Sequence, residues 1–76
     1  MSVLDENIYL APQLHIKILS DVGQVLEEMN QWEEALQKYI KAAEIYQTEL
    51  PNADPEDVAH VEKCIERVTS HLIPPD

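Results

Sequence analysis

Leu19-Ser-Asp-Val-Gly23-Gln-Val-Leu26 is followed, after a short gap, by Trp32-Glu-Glu-Ala35-Leu-Gln-Lys-Tyr39-Ile-Lys-Ala42. Small and large side chains alternate at helical spacing through both segments. Gly23 and Ala35 are the small members, and Leu19, Leu26, Trp32 and Tyr39 the large ones. Two helices approach closely only where small residues oppose large ones. The two segments therefore predict an antiparallel helical hairpin with Gly23 and Ala35 at its closest approach. A glycine inside a helix costs ~1 kcal/mol relative to alanine, which a tightly packed neighbour would offset.

On either side of this hairpin the residues supply helix limits and a third helix. Pro12 suits a first helical turn, where its missing N–H costs nothing. From there to Met29 the apolar stripe is His15, Ile18, Leu19, Val22, Val25, Leu26 and Met29, stepping by three and four. Asn30-Gln31 forms the turn, with Asn30 able to take a left-handed cap. The second helix starts near Trp32, carries Glu33 and Glu34 at its positive end, and ends before Pro51. Its expected buried side is Ala35, Leu36, Tyr39, Ile40, Ala43, Tyr46 and Leu50. Ala42 and Ile45 widen that side, so this helix should touch neighbours on two faces. Asp54 is a suitable N-cap ahead of Pro55, Glu56 and Asp57, and opens a third helix with the seam Val58, Val61, Ile65, Val68, Leu72. Pro74-Pro75 stops it. Residues 1–10 have no long period and are expected to form an arm or a single turn, leaving 11–76 as one helical domain. The fold class is all-α: an antiparallel hairpin plus a third helix.

Composition agrees and excludes several functions. Among 76 residues there is one glycine and no phenylalanine, and 45% are hydrophobic, a globular and helix-favouring mix. Fifteen acids against five bases give a net charge of −10. That field repels nucleic acid and anionic membrane surfaces, and no apolar run approaches the ~18 residues of a membrane span. The single cysteine, Cys64, excludes an internal disulfide and fits a reducing compartment. With no charged-then-apolar leader, the expected location is the cytoplasm.

The hairpin pattern resembles the tetratricopeptide repeat, whose signature is W-x2-L-G-x2-Y, then A-x3-F, then P. Leu19 stands where that family prefers Trp, Val22-Gly23 stands for its Leu-Gly, Leu26 for its Tyr, Ala35 for its Ala and Tyr39 for its Phe. Ala42 matches a further small position, while the closing proline is displaced to Pro51. The long second helix and the Asp-Pro turn before Val58-Ala59 look like the extended repeats of kinesin light chains. The likeness covers about one and a half repeats. It implies a non-catalytic protein-interaction module or adaptor subunit. A runner-up fold is a three-helix bundle of the microtubule-interacting-and-trafficking type, whose second helix also carries Tyr-x2-Ala and which binds a peptide helix in a groove. A repeat leaves the third helix stacked on the second, whereas a bundle closes it against the first. A third possibility is a structural subunit folded only in a homo- or hetero-oligomer.

Chemistry-bearing residues are few. His60 and Cys64 share a helical face, with His71 beyond them, but a closed zinc site needs four ligands and no Cys-x2-Cys supplies the rest. Cys64 reads as a small apolar side chain at the seam and His60 as a surface residue. The pairs Glu27-Glu28 and Glu33-Glu34 flank the hairpin turn. Acid–base catalysis would need them in an enclosed cleft with separated pKa values, so they read as solvated helix ends. The sequence implies no catalytic, cofactor or metal site. In chaperone-binding tetratricopeptide proteins a Lys and an Asn clamp a terminal carboxylate; Ser20 and Gln24 occupy those positions here and supply no cation.

The expected partner is a protein. Trp32, Tyr39 and Tyr46 lie on one face of the second helix, Tyr39 as core and Trp32 and Tyr46 as candidate partner contacts. Glu27, Glu28, Glu33, Glu34 and Glu44 would attract a basic or helical peptide. A small core and a β-branched seam also suggest a homodimer or a subunit of a complex, with Val61, Ile65 and Val68 at the contact. The competing arrangement folds that seam back on the first helix, with the N-terminal arm capping the rest, and gives a monomer.

Overall fold

Pro12, Asn30, Pro51 and Asp54 set the boundaries of three helices in the computed structural model, which describes residues 11–73. Helix α1 is Pro12–Glu28, α2 is Trp32–Glu49 and α3 is Pro55–Leu72. The arm expected over residues 1–10 and the Pro74-Pro75 stop lie outside the described residues. Asn30 takes φ = 62°, as its place in the turn predicts. Around it Gln31 N–H donates to the Leu26 carbonyl at 2.8 Å and Asn30 N–H to the Glu27 carbonyl at 2.9 Å. This paired closure satisfies carbonyls that the end of α1 would otherwise leave open. At α3, Asp54 Oδ1 accepts from the Glu56 N–H at 3.1 Å, completing the predicted cap.

The core is assembled from all three helices. Ile16 comes from α1, Ala35, Tyr39, Ala42 and Ile45 from α2, and Val61, Cys64 and Val68 from α3. Leu19, Leu26, Leu36, Ala43, Leu50, Ile65 and Leu72 pack around them, half-buried. Helix α2 packs along both α1 and α3, whereas α1 and α3 share no comparable interface. The third helix is thus laid beside the second. Ala35 and Ala42, fully buried on α2, leave room for its neighbours to come close.

The small-against-large reading of the hairpin holds: Gly23 is buried under the Tyr39 ring, and a Cβ there would stand 2.9 Å from Tyr39 Cζ and 3.0 Å from Cε1. Three expectations require correction. Helix α1 buries only part of its predicted stripe, Leu19 and Leu26. Its core face is Ile16, Leu19, Gly23 and Leu26, while Ile18, Val22, Val25 and Met29 face outward. The approach of Tyr39 to Gly23 fixes the rotation of α1, and hydrophobic spacing alone could not choose between two apolar faces. Ile40, expected inside, is exposed. Finally, Val61 and Val68 are only 2% and 0% exposed within this chain and Ile65 between them is half-buried, so the seam packs inside this chain rather than lying open to a second copy.

Candidate functional site: the outer face of α1

Leu14, Ile18, Val22, Val25 and Met29 follow one another at intervals of four, four, three and four residues. On a helix this places all five on one face. Their exposures run from 40% at Val22 to 59% at Met29. The stripe is roughly 22 Å long at 1.5 Å per residue. Scattered surface hydrophobics need no explanation, but a contiguous row of five large ones on one small protein does, and makes this face the candidate site. The outward positions of α3 differ: Glu62, Lys63, Glu66, Arg67 and Ser70 are polar and exposed. On α2 only Ile40 is large, apolar and exposed.

The margin of the stripe is acidic. Helical spacing sets Asp21 and Glu28 along one border, and both are exposed. The only cation on α1, Lys17, stands 3.9 Å from Asp21 with both side chains largely in solvent. Such a pair contributes little, and it leaves Glu28 unneutralised on this helix.

Behind this surface, Glu27 fastens the three helices together. The Tyr39 hydroxyl donates to Glu27 Oε2 at 2.6 Å. Arg67 Nε donates to Oε1 at 2.9 Å and Nη2 to Oε2 at 2.8 Å. The Glu27 side chain is 11% exposed. The guanidinium beside it holds its carboxyl below the ordinary range, against the opposing effect of burial and with help from the Tyr39 hydroxyl. Burial, then the bond to Glu27, pushes the Tyr39 phenol well above its ordinary value. Glu27 is therefore committed to the fold. This corrects the expectation of Glu27 as a partner-attracting acid, and its position carries the reason: Glu27 lies one helical turn after Gly23, on the core side of α1.

The other anticipated contact residues separate into two groups. Glu28, Glu33, Glu34 and Glu44 are exposed and free to meet a partner. Trp32 is half-buried with its ring stacked on His71 at 3.9 Å between centroids, so it closes the α2–α3 contact. Tyr46 is half-buried against the core, and burial followed by the charge of Asp57 raises its phenol. Tyr46 and Leu50 also line an open cleft of about 430 Å³ at the α2–α3 turn, rimmed by Glu49, Asp54 and Asp57. Cys64 is buried, with its Sγ 3.9 Å from His60 Nε2 and 3.6 Å from Arg67 Nη2.

Sequence periodicity missed the outer stripe as a surface, although its signal was present. Helix α1 carries two apolar rows, one containing Gly23 and one without it, and the row with the glycine is the one able to admit a neighbour's ring. Among the described residues no helix is long and apolar enough to cross a membrane. Comparison of the chain with protein-family models, curated proteins and solved structures finds no match.

Proposed function

We propose that this chain is a non-catalytic protein-interaction module or adaptor subunit of tetratricopeptide type, binding through the outer face of α1. The observation that carries this reading is the exposed row Leu14, Ile18, Val22, Val25 and Met29 on an otherwise satisfied small core. Helical repeats bury such faces against the next unit, and a helix of a partner protein can do the same. Placement of α3 beside α2, with little contact to α1, supports a stacked repeat over a closed bundle. The full burial of Val61 and Val68 directs attention away from α3 and toward α1.

A photocrosslinking side chain at Val22, compared with one at Glu66 on the polar face of α3, tests the reading in the cell. Adducts from position 22 and none from position 66 are expected. Folded protein that gives no adduct at position 22 overturns it. An adduct at the mass of two copies assigns the face to self-association.

A further inference from the structure

We infer that the occupant of the α1 face is an amphipathic helix from another protein, with its apolar stripe edged by Lys or Arg. This rests on the interaction-module reading and specifies the partner's chemistry. The apolar row has the alternating three- and four-residue steps that let a second helix lie along it, from Ile18 through Val22 and Val25 to Met29. A short loop or an extended peptide would leave part of that row in water.

Charge decides between a foreign helix and a second copy. Asp21 and Glu28 border the row, and the net charge of the chain is −10. Two copies paired through α1 in antiparallel fashion would bring the same acidic border of each together, with only Lys17 to compensate. Like charges juxtaposed in an interface oppose association and select against that partner. Arg67 adds no unpaired charge to that border, because its guanidinium is already paired with Glu27 through Nε and Nη2. A helix with basic residues beside its apolar stripe satisfies both parts of the surface: hydrophobic contact gives the affinity, while Asp21 and Glu28 choose the partner and its register.

The probes are two synthetic helical peptides of about 18 residues, long enough to cover α1, sharing one Leu/Ile stripe. One has Lys at the flanking positions and the other Glu. Titrated into the full chain at low salt, the Lys-edged peptide should bind about tenfold more tightly or better, and the advantage should shrink to about threefold or less near 0.5 M salt. In Asp21→Asn/Glu28→Gln the advantage should fall while the Glu-edged peptide gains. Val22→Asp/Val25→Asp, at exposed positions, should abolish binding while the helical spectrum is retained. Equal binding of both peptides overturns the charge assignment but leaves the α1 face as an interaction surface. Binding of the Lys-edged peptide that survives Val22→Asp/Val25→Asp, binding of neither peptide, or a stable dimer of the chain alone by sedimentation overturns the proposal.

Discussion

Glu27 and Arg67, forty residues apart, meet in a two-bonded ion pair at 2.8 and 2.9 Å that ties the end of α1 to α3. These helices otherwise share little interface, so this contact and the Tyr39 hydroxyl fix one against the other through α2. Glu27→Gln keeps the shape of the side chain and removes the charge. The expected loss is about 1–2 kcal/mol, the upper range for a charged bond being reduced because Arg67 is half exposed. Glu28→Gln, one residue on and in solvent, should stay within about 0.5 kcal/mol. Urea unfolding of the two variants checks the difference, and equal midpoints would remove the structural role assigned to Glu27.

The same group sets an acid limit. Its folded pKa lies below the ordinary value of 4.5 that the unfolded chain retains. Between the two values the unfolded state binds more protons, so stability rises with pH there. The contribution is fully present above about pH 5.5 and is lost as pH falls from 4.5 through the folded value. Thermal midpoints of wild type and Glu27→Gln should therefore differ by a constant amount near neutrality and converge in acid. A gap that widens on acidification contradicts the assignment.

Gly23 has no room for even one carbon. Alanine would recover ~1 kcal/mol of helix propensity, but its Cβ would stand 2.9–3.2 Å from three ring carbons of Tyr39. That ring is held by its hydroxyl bond to Glu27, so it cannot swing aside. Overpacking of this kind typically costs 1–3 kcal/mol, and Gly23→Ala should be destabilising by about 1 kcal/mol net. In a Tyr39→Leu background, where the ring is gone, the same change should be neutral or favourable. Stabilisation by Gly23→Ala in the wild type would place Gly23 outside the helix contact.

What could be read in advance divides along physical lines. Helix limits were legible because each has a local cause: Pro12 and Pro55 at first turns, Asp54 as a cap, Asn30 at positive φ. The burial of Gly23, Ala35, Tyr39 and Ala42 followed from small residues alternating with large. The rotation of α1 was only partly legible: apolar residues on two faces satisfy the same spacing, and the glycine that marks the inward row becomes decisive only with the Tyr39 ring against it. Nor was the Glu27–Arg67 pair, because a bond across forty residues depends on how α3 lies on α2. The candidate site follows from that rotation, so it too emerged only with the packing.

Two valines test the rotation and the seam together. Val25 on α1 is 54% exposed, whereas Val68 on α3 is fully buried. Valine and aspartate have similar helix propensities, so propensity does not separate the substitutions. Val25→Asp adds a charge in water and should shift stability by no more than about 0.5 kcal/mol. Val68→Asp places an unpaired carboxylate in the core. The buried side chains of α2, Ala35, Tyr39, Ala42 and Ile45, offer no cation to pair with it. A core of this size supplies only about 3–5 kcal/mol, and an unpaired buried charge costs enough to consume it. Val68→Asp should therefore be unfolded at neutral pH by circular dichroism, while Val25→Asp retains the wild-type spectrum and a cooperative melt. The reverse outcome would turn α1 inward along Val25 and expose the α3 seam, restoring Val61, Ile65 and Val68 as an intermolecular surface.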